Sequence, residues 1–231
     1  MRRTLALLTM LVGRSVCAHD LWLEREAGGI TLYQGHKYSA HGGAETVSYD
    51  VAFVKEAVGL EPGGRTKPLP VPKQTPWRVA TTDFSAIHIS ASSGYWTKTP
   101  WETKNLPKTG VTGAIKSWLS EESVKRIDRW TPGTDRPLSD DLEITPTVDP
   151  LALKPGDKLV VLVTEGGKPK GGVPVAYGED TRGATGEDGR VAIRLRHGGM
   201  QLIAASVETP LADGKADVAI RSAILQFEIA K

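Results

Sequence analysis

One residue near the amino terminus, His19, has the chemistry of a metal chelator. It follows Ala18, and Val16 and Ala18 are the small residues that signal peptidase requires before a cut. Cleavage after Ala18 would free the α-amine of His19, so that this amine and the ring nitrogen could bind one metal ion together. An α-amine titrates near neutrality and loses its proton to a metal at modest cost. We therefore predict a metal ligand at His19; the alternative is the first ordered residue of a β-strand.

Further nitrogen donors come from the other histidines. His88 alternates with isoleucines in a strand pattern, so we expect it to point away from the apolar face and to line a cleft beside the amino terminus. His41 precedes two glycines, where the backbone can approach a ligand closely. We predict that His19, His88 and His41 bind the metal; a solvent-facing histidine is the alternative for the last two. His36 flanks the same turn as His41, and His197 is interpreted as a turn residue.

Two more residues are predicted to support this site. Asp20 could accept a hydrogen bond from the ring N–H of a coordinating histidine and so fix the orientation of the ring; otherwise it is a surface aspartate. Trp96 lies in an aromatic stretch with Tyr95 and Trp101. Such a stretch either walls a binding site or fills a domain junction. We expect Trp96 to wall the metal pocket.

The amino-terminal segment predicts export. Arg2 and Arg3 precede an apolar run at residues 5–12, which is the pattern of a secretory signal peptide at 1–18. We therefore expect a periplasmic protein that does not span the membrane after the leader is removed, since no other apolar run approaches the ~20 residues needed. The single cysteine, Cys17, lies inside this leader. The mature chain then has no disulfide, zinc–thiolate site or cysteine nucleophile.

The charge balance argues against a nucleic-acid partner. The 231 residues carry a formal net charge of +2, and the leader holds three arginines and no acid, so its removal leaves a charge of −1. Such a chain has no basic excess with which to neutralise phosphates.

The residue pattern predicts a mostly β protein of two domains, built as antiparallel sandwiches with one short helix. We place the domains at 19–139, with the metal site, and at 140–231, an immunoglobulin- or transthyretin-like sandwich. Alternating apolar residues predict strands at 46–54 and 86–91 in the first domain. Ser120 and the two acids after it predict the start of the helix. A connector rich in glycine and proline occupies residues 131–137.

Several short motifs together resemble a known family. They lie at residues 19–23, 94–99, 142–146, 149–150, 153–157, 167–175 and 185–189. Their order and spacing resemble the periplasmic family of domain of unknown function 4198, which is related to periplasmic components of nickel and cobalt uptake systems. The resemblance implies an exported two-part β protein linked to transition-metal uptake.

These observations lead to one functional hypothesis with two alternatives. The chain is expected to bind a divalent transition metal, nickel or cobalt, and to capture it or deliver it to a membrane transporter without catalysis. Copper fits the same nitrogen donors. One alternative is a sandwich scaffold or adhesion module that binds protein or glycan without metal. The other is a copper monooxygenase-like enzyme that uses the amino-terminal histidine. The sequence contains no nucleophile elbow, zinc-protease helix or phosphate-binding glycine loop.

Overall fold

The computed structural model describes residues 20–37, 45–71, 74–80, 83–178 and 180–231. Within these ranges the chain is mostly β, as the sequence predicts. The strands are β1 (Asp20–Glu26), β2 (Gly29–His36), β3 (Glu45–Thr46), β4 (Val54–Leu60), β5 (Thr66–Pro68), β6 (Arg78–Val79), β7 (Ala86–Lys98), β8 (Thr103–Lys104), β9 (Lys116–Ile127), β10 (Glu143–Pro146), β11 (Lys158–Glu165), β12 (Lys168–Pro169), β13 (Pro174–Tyr177), β14 (Asp180–Ala184), β15 (Arg190–Arg194), β16 (Gly199–Pro210) and β17 (Val218–Ile229). Short 3-10 helices occupy Lys108–Gly110 and Pro150–Ala152. No helix in the described ranges is long and apolar enough to cross a membrane.

The largest sheet, here called the central sheet, runs in the order β14-β13-β16-β17-β9-β7-β4-β5, with β8 paired to β7. Its neighbouring strands are antiparallel except for β17 and β9, which are parallel. The first outer sheet contains β1, β2, β3 and β6, and the second outer sheet contains β10, β11, β12 and β15. Apolar residues of the first outer sheet pack in one hydrophobic cluster with one face of the central strands, and those of the second outer sheet pack in another cluster with the opposite face. The three sheets therefore form stacked layers.

Successive residues of the central strands contribute to two separate hydrophobic cores, one on each face of the central sheet. Ile89 and Val124 pack in one cluster with Leu21 of the first outer sheet. Ile127 packs in the other cluster with Ile144 of the second outer sheet. Because successive strand residues point to opposite faces, both faces of β7 and β9 are covered. Burying both faces stabilises these strands and removes the polar outer face that a two-layer sandwich would leave.

The helix predicted to begin at Ser120 is wrong. Residues Ser120 to Ile127 form the last two thirds of β9, which lies between β7 and β17 and pairs with both. Polar residues near Ser120 resembled a helix cap, but here tertiary pairing on both edges of the strand overrides that local preference.

The strand predicted at 46–54 is also wrong in its middle. β3 ends at Thr46 and β4 begins at Val54. Between them Asp50 makes a turn, in which its carbonyl accepts from Phe53 N at 3.0 Å and its carboxylate accepts from Ala52 N at 2.8 Å. The carboxylate of Asp50 thus accepts a hydrogen bond that a neighbouring strand would otherwise accept, which is a common role of aspartate in turns.

The central sheet takes strands from both sides of the predicted boundary at 139/140. β9 precedes this boundary and β17 follows it, and the two pair from Trp118↔Val218 to Ile127↔Phe227. The predicted connector at 131–137 contains Thr134, which is fully buried. The two halves of the chain are therefore joined through backbone hydrogen bonds.

Candidate functional site

Two of the three predicted metal ligands, His19 and His41, lie outside the described residues. The structure begins with Asp20 at the start of β1.

The pairing of β1 with β2 brings one histidine to this region. Asp20 pairs with Gly35 and Leu21 pairs with Gln34, and the half-buried His36 follows Gly35 at the end of β2. Leu21 and Gln34 are buried, with 1% and 7% of their surface exposed. The sequence predicts that the turn flanked by His36 and His41 could bring an imidazole to the metal site, and it favours His41 of the two. The strand register that places it here is a signal that residue types alone do not contain.

Side chains of the central sheet hold β1 in place. Gln226 donates from Nε2 to Leu23 O at 2.7 Å and accepts from Leu23 N at 2.8 Å. Arg126 donates from Nη1 to the same carbonyl at 2.6 Å. Arg25 pairs with Asp128 at 3.1 Å. These contacts satisfy the backbone of β1 at Leu23 on the edge that β2 leaves open, and they fix β1 above β9 and β17.

Glu122 of β9 is a buried carboxylate with one unused oxygen. Only 8% of its surface is exposed. Its Oε1 accepts from Ser120 Oγ at 2.6 Å and from Ser93 Oγ at 3.5 Å, whereas its Oε2 has no hydrogen-bond partner. Burial raises the pKa of Glu122, and the hydroxyls of Ser120 and Ser93 together with the backbone N–H of Ser93 oppose that rise only in part. A buried carboxylate oxygen without a donor is costly, so its presence calls for an explanation.

Trp96 lies next to this carboxylate. Its Nε1 donates to Ser93 Oγ at 3.0 Å, and its ring stacks on Trp118 with 6.5 Å between ring centroids. Ser93 therefore links the indole to Glu122. Trp96 is half-buried. It lies beside a polar group, and the predicted role as wall of a metal pocket stays a prediction.

His88, the third predicted ligand, is held in a buried network on the other face of the central sheet. Its exposed fraction is 1%. Its Nε2 lies 3.2 Å from Ser139 Oγ and 3.7 Å from Glu143 Oε2, and Glu143 Oε1 lies 3.0 Å from Lys125 Nζ. The first outer sheet, which contains β1, packs against the face of Ile87 and Ile89. The structure therefore does not bring His88 together with the start of β1.

Burial favours a neutral His88, and Lys125 favours an ionised Glu143. Burial lowers the pKa of His88, although the carboxylates of Glu143 and Asp141 act in the opposite direction. Burial alone would raise the pKa of Glu143, but the charge and hydrogen bond of Lys125 and the backbone N–H of Leu138 outweigh it and the pKa is lowered. Burial lowers the pKa of Lys125 against the attraction of Glu143. The ion pair between Lys125 of β9 and Glu143 of β10 holds the second outer sheet against the central sheet.

The remaining predicted residues are more exposed. Asp20 is half-buried at the first described position of β1, and alternation along the strand places it on the face opposite to Leu21. His197 is exposed and stacks on Tyr177 with 5.7 Å between ring centroids, at a turn as the sequence predicts.

A small acidic cleft of about 140 Å³ opens where β9 and β17 meet the loop before β10. Arg221 crosses it, with Nε 2.8 Å from Glu121 Oε2 and Nη1 3.6 Å from Glu165 Oε1. Glu122, Asp140 and Asp141 complete its lining of acids. Across the ranges given above, no group of three or more histidine, cysteine, aspartate or glutamate side chains is arranged to hold a metal.

The fold is that of an all-β protein of three stacked sheets, in which His36 at the end of β2 lies beside the start of the first strand. The chain belongs to the family described as Domain of unknown function (DUF4198), whose sequence model matches residues 16–209. No curated protein matches the chain at a significant level. The family description carries no activity, so any function has to be argued from the chemistry of this chain.

Proposed function

We propose that this chain is an exported protein that binds a divalent transition metal, nickel or cobalt, and captures it or delivers it to an uptake transporter. The leader-like segment before His19 supports export. The observation that carries the proposal is the register of β1 and β2, because it concerns the residue that the leader would release as a new amino terminus.

The register supports a pair of histidines. Asp20 pairs with Gly35, and His36 is the next residue of β2, so an imidazole lies one position beyond the first described pair of the β1–β2 ladder. In the proposal, this imidazole and the amine and ring of His19 bind one metal ion.

The donor set of this pair indicates the class of metal. The α-amine and ring of His19 with the ring of His36 supply three nitrogens, and His41 can add to them from the segment that follows β2. Flat nitrogen-rich sets suit Ni(II) and Cu(II), and affinity along the first-row metals favours copper over nickel and cobalt. The choice of nickel or cobalt rests on the resemblance to uptake components. In this proposal His36, and not His88, is the second histidine that binds the metal beside His19.

The experiment uses the exported chain after processing. Mass spectrometry first determines whether it begins at His19. Chelator competition then measures the affinity for Ni(II), Co(II) and Cu(II) in the parent and in His36→Ala, with His197→Ala as the control at an exposed turn. We expect His36→Ala to lose about tenfold or more in affinity, which is at least about 1.4 kcal/mol, and His197→Ala to keep the parent value.

Two results would contradict the proposal. A chain that begins elsewhere lacks the amine ligand, and a parent that binds none of the three metals favours the scaffold or adhesion alternative. Hydrogen peroxide production by the copper-loaded chain with a reductant would favour the monooxygenase-like alternative over capture and delivery.

A further inference from the structure

Three exposed apolar side chains lie in the loops that follow β7. Trp101 is 83% exposed, Ile115 is 63% exposed and Leu106 is 48% exposed. Trp101 lies in the turn between β7 and β8, Leu106 follows β8, and Ile115 comes directly before β9. Single exposed apolar residues are normal on a protein surface, whereas several at one place indicate an interaction site. Trp101, Leu106 and Ile115 are here called the apolar tip.

Contacts between the loops bring the two most exposed of these residues together. Ile115 N donates to Lys98 O at 2.8 Å, so the residue before β9 lies beside the last residue of β7. A Cβ on Gly113 would lie 3.8 Å from Cζ3 of Trp101, so the loop that leads to Ile115 passes beside the indole. Both side chains therefore occupy the same end of the central sheet.

Two buried threonines near the end of β7 hold these loops in place. Thr99 Oγ1 accepts from Trp101 N at 3.3 Å and from Glu102 N at 3.1 Å, and Thr99 N donates to Glu102 O at 2.8 Å. Thr97 Oγ1 donates to Leu106 O at 2.8 Å. The indole of Trp101 is therefore presented to solvent by a turn with its own hydrogen bonds. An anchor fixed in this way loses little conformational entropy when it binds.

Lysines lie in the same segment as the apolar tip. Four lysines and one acid fall within residues 98–116, which gives this segment a charge of +3. After loss of a leader at 1–18 the whole chain would carry −1, so the rest of it would carry −4. Positive charge is thus concentrated in the segment that holds the exposed apolar residues. The lysines are Lys98, Lys104, Lys108 and Lys116.

Three of these lysines have acidic partners within 3.1 Å, in pairs whose side chains are 34–59% exposed. Ion pairs this exposed contribute little to stability, because water and salt screen them. Each ammonium group also has three N–H donors, so it can bind an anionic headgroup beside its acid. The pairs are Lys104–Glu102, Lys108–Asp217 and Lys116–Glu208.

We propose that the apolar tip docks on the surface of a membrane that contains anionic lipids. Indoles lie preferentially at the headgroup level of a bilayer, and aliphatic side chains beside them enter the boundary of the acyl chains. Lysine stems then place their ammonium groups among the phosphates. An apolar protein surface would not explain the concentration of lysines, which favours lipid as the occupant. This inference goes beyond the proposed function and does not depend on metal binding.

Vesicle flotation of the processed chain measures this docking. Vesicles of phosphatidylglycerol and phosphatidylcholine are compared with vesicles of phosphatidylcholine alone. Trp101→Ser removes the indole, and Val148→Ser is the control, since Val148 is 48% exposed in the segment after β10. We expect the parent to prefer the anionic vesicles and Val148→Ser to match it. Trp101→Ser is expected to lose about tenfold or more in partition.

Two further measurements separate insertion from charge. Brominated lipids quench an indole that contacts the acyl chains, so they should quench the fluorescence of the parent and lose part of this effect in Trp101→Ser. Lys98→Gln should weaken partition to the anionic vesicles about fivefold and leave partition to phosphatidylcholine unchanged. Thermal midpoints of the variants should equal that of the parent. If Trp101→Ser does not fold, Ile115→Ser takes its place with the same expected loss of partition.

Several outcomes would overturn lipid docking. They include a folded parent that binds neither kind of vesicle, and a Trp101→Ser variant that partitions like the parent. Equal losses in Trp101→Ser and Val148→Ser would also overturn it, because binding would then not be specific to the apolar tip. Self-association of the parent without vesicles, lost in Trp101→Ser, would identify a second copy of the chain as the occupant instead. The metal affinity of His36→Ala enters none of these outcomes, so the two proposals fail separately.

Discussion

Replacing Glu143 by alanine should destabilise the protein strongly without affecting the amino-terminal site. Glu143 is 1% exposed and accepts hydrogen bonds from Lys125 Nζ at 3.0 Å, Leu138 N at 2.9 Å and Ser139 Oγ at 2.9 Å. The substitution leaves the ammonium of Lys125, with a fully buried side chain, without this carboxylate. The energetic cost is thus that of an uncompensated buried charge.

The magnitude follows from the partners that Lys125 keeps. Breaking a buried ion pair by removing one member costs about 3–5 kcal/mol. Lys125 Nζ still donates to Arg136 O at 2.6 Å and to Thr145 Oγ1 at 3.2 Å, which favours the lower end. We expect a loss of about 3 kcal/mol in the free energy of unfolding. In a chain of this size the midpoint of thermal unfolding should then fall by about 6–12 °C.

Urea denaturation followed by circular dichroism measures this loss. The matched control is Glu102→Ala, which breaks an exposed pair with Lys104 at 3.1 Å in which the two side chains are 59% and 42% exposed. Exposed pairs contribute about 0–1 kcal/mol, so the control should change little. A loss below about 1 kcal/mol for Glu143→Ala would refute the reasoning that Lys125 and Glu143 are an ionised pair in the interior.

Three further predictions concern pH, the attachment of β1 and a close backbone contact. Burial lowers the pKa of His88 below its usual 6.5, so the unfolded chain binds more protons below that pH and the free energy of unfolding should fall between pH 7 and 5. A folded His88→Gln variant, compared with the parent by urea denaturation at both pH values, should lack this pH dependence. Glu143, whose pKa is lowered, should add a further loss of stability only below about pH 4.5. Gln226→Leu removes both amide hydrogen bonds to Leu23, so the free energy of unfolding measured with urea should fall by about 1–3 kcal/mol and Ni(II) binding should weaken. An unchanged affinity for Ni(II) would show that metal binding does not depend on this attachment of β1. Gly29→Ala would place a Cβ 2.5 Å from Val79 O and should lower the free energy of unfolding, measured by thermal unfolding, by about 1–3 kcal/mol. The control Gly63→Ala, with no atom within 4 Å of its Cβ, should cost clearly less, and equal losses in the two variants would contradict the predicted steric cost.

Local patterns were sufficient to predict several of the strands. The alternation of Ile87 and Ile89 around His88 corresponds to the first part of β7 in the structure. Turn residues between short apolar runs indicated a β-rich fold because such signals act within a few residues of the chain. The same local reasoning failed at Ser120, where a polar cluster belongs to a strand buried on both faces.

The surroundings of His88 show what alternation could not predict. The pattern correctly separates His88 from the isoleucines, and it assumes that the face opposite an apolar face meets solvent. Here a second outer sheet covers that face and brings Glu143 and Ser139 to the imidazole. Nothing in the vicinity of residue 88 in the sequence specifies this, because the covering strand follows more than 50 positions later.

The sequence by itself determined the class of the fold and the residue types available for a metal, and it predicts a leader whose removal would create an amine ligand. Only the tertiary structure decided which described segments lie side by side. His36 is placed beside the start of β1 by a strand register, and β1 is placed across β9 by contacts between segments 103 positions apart. Register and layer packing are settled by burial summed over whole sheets, so short motifs cannot specify them.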